Sequence, residues 1–408
     1  MREMKDSGID IVGKIPINWN TVRLKYLCGI QTGNEDTQDA VDDGIYNFYV
    51  RSPIVEKSNR YTFDGEGILM AGDGVGAGRV FHHAFGKYAV HQRVYRLSDF
   101  NDIDPNYLYY YISNLFCMEM DKGSAQSTVP SVRLPMLLNF SICIPTKSEQ
   151  KEISLFLDKK CTEIDSLISD IQKQIETLEQ YKRSVITEAV TKGLDPDVEM
   201  RDSGVQWIGM IPKHWKVDNP KWHFVQRKDR ATKGLTQLTA SQKYGVVTQE
   251  EYMEITGAKV VTVEKDFDIL KLVCPGDFII HMRSFQGGLE YSEKYGSISS
   301  AYVMLIPQKT ILEPRFYKWF FKSPVYIDAL SSTSNLIRDG QAMRYANFIQ
   351  LPIPLMPKEE QRQIADYLDS KCAEIDSIIA EKKQQIETIE EYKKSLIFEY
   401  VTGKKEVI

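Results

Sequence analysis

Residues 160–168 read KCTEIDSLI, and residues 371–379 read KCAEIDSII. This repetition decides the architecture. Sliding the chain by a little over two hundred places aligns Lys147 to Lys192 with Lys358 to Gly403 without a gap, and roughly 25 of 46 positions are identical. The shared residues include EQ at Glu149 and Glu360, LD at Leu157 and Leu368, QIET at Gln174 and Gln385, and YK at Tyr181 and Tyr392. A second repeat lies upstream of each copy: DSGIDIVGKIPINW from Asp6 matches DSGVQWIGMIPKHW from Asp202, keeping DSG, G-x-IP and a tryptophan at Trp19 and Trp215. The chain is therefore a short box, a variable block and a long box, all written twice.

The long box has a helical period. Leu157, Ile164, Ile171, Leu178 and Val185 recur every seven residues, and Cys161, Ile168, Ile175, Lys182 and Ala189 form a second row four residues later. Steps of three and four make a coiled-coil seam. The second copy carries Leu368, Ile375, Ile389 and Leu396 in one row and Cys372, Ile379, Ile386, Lys393 and Tyr400 in the other, with Lys382 interrupting. About 40 helical residues span roughly 60 Å. Such a rod cannot hide its stripe alone, and the sibling helix is the nearest partner. A closed two-fold relation between tandem halves would cross the helices antiparallel and carry the variable blocks to opposite ends. Within that seam Cys161 and Cys372 are small core fillers.

Composition sets broader bounds. A chain of 408 residues, 42% hydrophobic, can bury more than one core. Its six cysteines stand singly with no C-x-x-C pair, which argues against a zinc knuckle or a disulfide framework and fits reduced thiols. MREMKDSGID lacks an apolar targeting region and no apolar run approaches membrane-spanning length, so a cytoplasmic location is expected. The net charge of −5 argues against indiscriminate coating of nucleic acid but leaves room for local basic faces.

The variable blocks, about Asn20 to Thr146 and Lys216 to Pro357, read differently. GIYNFYV, RVFHHAF, YAVHQRVYRL, DFIIHM and AYVMLIP are rich in β-branched and aromatic residues between Gly, Asp and Asn, which predicts strands and turns. Short helices are expected after Pro105 and Pro314. Each block ends in a proline-marked strand, SICIPTKSEQ or PIPLMPKEEQ, that runs into its long helix. The fold class is thus α+β: two homologous α/β domains separated by a long antiparallel two-helix coiled coil, with a pseudo-two-fold internal repeat. The expected segments are 1–146, 147–193, 194–357 and 358–408.

EQ-x-x-I-x3-LD-x-K-C-x-EIDS, followed by QIET, YK-x-S and VT, with DSG…G-x-IP-x-x-W before each variable block, resembles the specificity subunit of type I restriction-modification systems. The resemblance covers nearly the whole chain. It implies two target-recognition domains that read the halves of a bipartite, asymmetric sequence in double-stranded DNA, on a chain that does no chemistry itself. It further implies two modification subunits that methylate adenine with S-adenosylmethionine, and two restriction subunits driven by ATP and magnesium. No cofactor is expected in this chain. A rigid spacer would fix the separation and angular phase of the half-sites, one duplex turn being about 34 Å.

Side chains that reach base edges must supply discrimination, with other cations on phosphates. In the first block the candidates are Arg79, His82, His83, Gln92 and Arg93 around the glycine-rich turn, and Gln126, Ser127, Thr128 and Arg133 in KGSAQSTVPSVR. The second offers Arg227, Lys228, Arg230 and Lys233, then Arg283, Ser284 and Gln286, then Arg338, Gln341 and Arg344. These mark regions, and about half the side chains should be ordinary solvated surface. The first block holds 11 basic and 14 acidic residues and the second 18 and 14, so the second should supply more nonspecific attraction. On the helices, Glu163, Asp165, Glu176, Tyr181 and Lys182 and their copies Glu374, Asp376, Glu387, Tyr392 and Lys393 are candidates for a repeated docking surface.

Other chemistry is weakly supported. Residues 71–80, AGDGVGAGRV, follow a strand and have Asp99 downstream, as a dinucleotide fingerprint would, but RVFHHAF reads as strand where a helix should begin; a hairpin or DNA-facing loop is expected. His82, His83 and His91 lack a completing ligand spacing. There is no G-x-x-x-x-G-K-[ST] loop and no N-P-P-[FY] or D-P-P-Y tetrapeptide. Glu149-Gln150-Lys151 has nuclease-like spacing but opens a long helix, where an acid is favoured by the dipole. Two further readings remain: a scaffold whose globular ends bind proteins, and an enzyme that uses the glycine-rich loop.

Overall fold

A computed structural model describes residues 2–123, 130–260, 269–333 and 343–407. Two long helices, Lys147–Lys192 and Lys358–Val401, accompany short strands and helices. The chain divides into two compact units, Met1–Gln172 with Lys383–Ile408 (unit 1) and Lys173–Lys382 (unit 2). This differs from four consecutive segments: each unit takes a head, the start of one long helix and the end of the other.

The short box has the same geometry in both units. In unit 1, Met4–Asp6 pairs antiparallel with Lys14–Pro16, and Asp6 Oδ1 accepts the Gly8 amide at 2.9 Å. In unit 2, Met200–Asp202 pairs with Met210–Pro212, and Asp202 Oδ1 accepts the Gly204 amide at 2.9 Å. The side chain closes the turn, and glycine follows because φ there is +73° and +74°. The box ends on a fully buried tryptophan, Trp19 or Trp215.

The EQ pair opening each long helix is a joint. Glu149 Oε1 accepts Trp19 Nε1 at 3.4 Å, and Glu360 Oε1 accepts Trp215 Nε1 at 2.8 Å. The next residue ties down the helix that begins at the proline: Gln150 Oε1 accepts the Asp104 amide at 2.6 Å, and Gln361 Oε1 accepts the Glu313 amide at 2.7 Å. Those helices run Pro105–Gly123 and Pro314–Phe320. The strand after each box, Asn20–Arg23 or Lys216–Asp218, pairs with the strand before the long helix, Ser141–Ile144 or Ile353–Leu355.

In unit 1 the head carries two four-stranded sheets. One orders Gly29–Thr32, Val94–Ser98, Gly67–Ala71 and Phe81–Ala84, and the other Glu56–Ser58, Tyr46–Tyr49, Lys87–Val90 and Phe63–Asp64. Its core joins Trp19, Ile68, Leu97, Tyr107 and Ile142 to Leu157 and Val401. Unit 2 holds a sheet of Phe224–Gln226, Val303–Pro307, Phe278–Ile280 and Glu290–Tyr291, and its core runs from Trp215 through Phe224, Phe278 and Phe321 to Leu368.

The long helices pair antiparallel within each unit. In unit 1 the Phe156 and Tyr400 rings lie 4.4 Å apart, and Lys393 Nζ donates to Asp165 Oδ1 at 2.6 Å. In unit 2 Lys382 Nζ donates to Gln174 Oε1 at 2.5 Å and Lys182 Nζ to Asp376 Oδ2 at 2.6 Å. Cys161, Ile164, Cys372 and Ile375 are buried, whereas Ile168, Leu178, Ile386 and Ile389 are partly covered. Removing such stripes from water contributes about 25 cal/mol per Å² of apolar surface.

Candidate functional site

The glycine-rich stretch of unit 1 lies between two antiparallel strands, Gly67–Ala71 and Phe81–Ala84, as a loop of a hairpin and without a following helix. A nucleotide-binding turn needs amides converging at a helix start, so the loop carries no such fingerprint. It brings charges together instead. Arg51 Nη1 donates to Asp73 Oδ1 at 3.0 Å, and Arg93 Nη1 to Asp73 Oδ2 at 2.5 Å. Burial alone would raise the Asp73 pKa, but the two guanidiniums outweigh it and hold the carboxyl below its ordinary range. Alongside, Gln92 Nε2 donates to Asp36 Oδ2 at 2.9 Å. A cleft of about 350 Å³ opens here, lined by Thr37, Arg51, Ser52, Asp73 and Gly74–Gly76.

The other candidates of the first block fall into distinct groups. Arg79 is exposed and paired with Asp121 at 2.6 Å. His82 and His83 lie on a strand in register with Leu69 and Ile68, and both are partly buried. His82 Nε2 is bound to the Ser52 carbonyl at 3.1 Å, and His83 Nε2 to Glu66 Oε1 at 2.9 Å with its ring 5.4 Å from Tyr109. Burial lowers both imidazole pKa values, despite the opposing pull of Glu66 on His83. They are sheet residues, because the strand runs through Ala84 and pairs them with the neighbouring strand. Arg133 is exposed at the start of Leu134–Asn139. Gln126, Ser127 and Thr128 lie outside the described residues.

In unit 2, Arg227 is committed internally: its Nε and Nη2 donate to Asp277 at 2.7 and 2.9 Å and its Nη1 to Asp229 at 3.0 Å. The Asp277 bonds raise the Arg227 pKa further. Ser284 is fully buried and accepts the His281 amide at 2.9 Å. Expected among the loop residues that face DNA, these two instead hold the head together, since each satisfies a buried partner. Lys228, Lys233, Arg283, Gln286 and Arg344 are exposed, as is Arg230, whose Nη1 donates to the Ile269 carbonyl at 3.0 Å. Arg338 and Gln341 lie outside the described residues.

On the long helices the repeated charges separate into two kinds. Asp165, Lys182, Asp376 and Lys393 pair between the helices, so this part of the expected docking surface is turned to the helix partner. Glu163 and Glu374 make the same bond to Lys160 and Lys371, at 2.7 and 2.8 Å, three residues along their own helices. Glu176, Glu387, Tyr181 and Tyr392 are exposed in both copies. No group of three or more His, Cys, Asp or Glu suited to a metal ion occurs among the described residues. No described helix is long and apolar enough to cross a membrane.

Sequence reasoning missed Arg51 and Asp73. Arg51 directly follows the strand-like GIYNFYV and Asp73 sits within the glycine run, the one available signal being an acid amid glycines beside a strand end.

Residues 16–177 match the type I restriction modification DNA specificity domain. The chain is 28% identical over 207 residues to the type I restriction enzyme EcoDI specificity subunit of Escherichia coli, a match covering 51% of this chain and 42% of that subunit. The chain thus spans less than half the length of that relative. It is 26% identical to the type I restriction enzyme MjaVIII specificity subunit of Methanocaldococcus jannaschii, over 96% of this chain and 94% of that one. In fold it resembles a solved chain from work on complex assembly and conformational transition of the type I R-M system, with a TM-score of 0.66 at 14% identity over 96% of this chain and all of that chain.

Proposed function

We infer that this chain, a relative of the type I restriction enzyme specificity subunits with a type I restriction modification DNA specificity domain over residues 16–177, reads DNA sequence for partners that perform the chemistry. One observation carries the reading. Two heads with unlike surfaces are fastened to the long helices by the same joint, Trp19 with Glu149 and Asp104 with Gln150 in unit 1, Trp215 with Glu360 and Glu313 with Gln361 in unit 2. Diverged readers on repeated mounts suit a bipartite, asymmetric DNA target, one half to each head, with base edges read by loop side chains and phosphates by surface cations.

The repeated exposed residues Glu163, Glu176 and Tyr181, with Glu374, Glu387 and Tyr392, give two equal docking surfaces for two modification subunits. Those subunits would methylate adenine with S-adenosylmethionine, and two restriction subunits would join through the complex and use ATP and magnesium. This chain contributes recognition and positioning and holds no cofactor.

The test is to co-express the chain with a candidate adenine-methylating subunit and to map methylated adenines across a genome. The expected result is one bipartite motif of fixed gap that changes in one half when residues 20–146 are exchanged for those of a relative. Adding equal helical turns to both long helices should change the tolerated gap. Methylation indifferent to this chain rejects the reading and favours a protein-binding scaffold.

A further inference from the structure

The glycine-rich loop of unit 1 is built to place one carboxylate between two arginines. Gly72 donates its amide to the Arg93 carbonyl at 2.9 Å, and a Cβ added there would lie 2.9 Å from that oxygen. A Cβ at Gly76 would lie 2.6 Å from the Arg51 carbonyl. The loop can therefore press its backbone onto both arginine-bearing segments only as glycine. From the other side, the Gly74 amide donates to the Pro130 carbonyl at 3.0 Å and the Val132 amide to the Gly72 carbonyl at 2.8 Å. Asp73 sits at the centre, 17% exposed, and holds Arg51 at 42% and Arg93 at 62% exposure.

Exposed ion pairs contribute little to stability, so this much backbone constraint is not explained by holding the fold. It is explained by aiming a guanidinium. Among the described residues Arg93 gives only Nη1, to Asp73, and its Nε and Nη2, two parallel donors on a side chain 62% exposed, meet no described acceptor. That edge matches O6 and N7 of guanine in the major groove, where two acceptors lie side by side. The same edge also fits two phosphate oxygens, and the two roles differ in their outcome: a guanine contact sets the choice of base at one position, a phosphate contact does not.

We propose that Arg93 is the guanine-reading side chain of unit 1, with Asp73 as its positioning residue and Arg51 completing the clamp on the carboxylate. This rests on the reading of the chain as a DNA-recognition subunit.

The experiment uses the full complex with its modification subunit and compares methylated-adenine motifs for the native chain, Arg93→Ala, Arg93→Lys and Asp73→Asn. The half-site belonging to unit 1 is the one that changes when residues 20–146 are exchanged. In Arg93→Ala, one guanine position of that half-site should accept other bases, discrimination falling about 5- to 150-fold. Asp73→Asn should relax the same position less, and the other half-site should not change. An unchanged motif with slower methylation would make Arg93 a phosphate contact and overturn the proposal. So would relaxation in the other half-site, or loss of all methylation in the three variants with helical content and assembly intact. A native complex with no bipartite motif would instead fail the functional reading before any variant is compared.

Discussion

Trp215 and Glu360 meet at 2.8 Å, indole Nε1 to carboxylate Oε1, and Trp19 and Glu149 repeat the bond at 3.4 Å. In each unit a buried tryptophan from the short box is thereby fixed to the first turn of a long helix. His214 shares the Glu360 carboxylate at 2.8 Å, whereas in unit 1 Arg2 occupies the carboxylate of Glu149.

Glu360→Ala leaves the Trp215 N–H buried without an acceptor. The expected cost is about 1–3 kcal/mol of stability in unit 2. Trp215→Phe in the same background removes the orphaned donor, so the two losses should be less than additive in urea unfolding. Strict additivity would show that the bond carries no coupling.

Glu149 makes unit 1 acid-sensitive. Burial alone would raise its pKa, but the bonds from Thr146, Arg2 and Trp19 outweigh this and lower it. The unfolded chain therefore takes up a proton at higher pH than the folded one. The stabilisation is fully present above the ordinary glutamate pKa of 4.5 and is lost as pH falls from there through the lower folded value. Glu149→Gln should flatten that part of the stability profile in acid unfolding followed by hydrogen exchange in unit 1.

Asp165 with Lys393, and Asp376 with Lys182, are one pair made twice with the helices exchanged, at 2.6 Å in both. Each is partly exposed, so its contribution is about 0.2–1 kcal/mol. Lys393→Asp should destabilise by a similar amount through like-charge contact, and adding Asp165→Lys should restore most of it. Thermal melts at low and high salt check this, since screening should shrink the difference.

Arg227 offers a sharper contrast. Asp277 is 2% exposed and takes two bonds from that guanidinium and one from the Cys274 amide at 2.9 Å. Asp277→Ala strands a largely buried cation and should cost about 3–5 kcal/mol in unit 2. Arg227→Met should also destabilise the head. A variant of native stability with an altered half-site would return Arg227 to the DNA-facing set.

The repeated parts were legible because their determinants are local. A seven-residue period needs only neighbouring turns, and the DSG turn closes within three residues. The head contacts were not legible, since Arg51, Asp73 and Arg93 come from three separate connections that only the sheet register brings together. Lys182 and Lys393 fitted both a seam row and an outward face, and periodicity cannot tell these apart at the edge of a stripe. Phe81–Ala84 lacks the polar alternation that would have assigned its two histidines to a face.

Unit 2 is one continuous stretch, Lys173–Lys382, whereas unit 1 needs Lys383–Ile408 to finish its core. Tyr107 Oη lies 2.8 Å from the Val401 carbonyl and Asn114 Nδ2 donates to the Lys394 carbonyl at 3.0 Å, so the head made earlier waits for the helix made later. Vectorial synthesis ordinarily lets the earlier domain close first. On the ribosome this chain should reverse that order: the later head matures while the earlier one stays open, exposed to chaperones and proteases until translation delivers its missing wall.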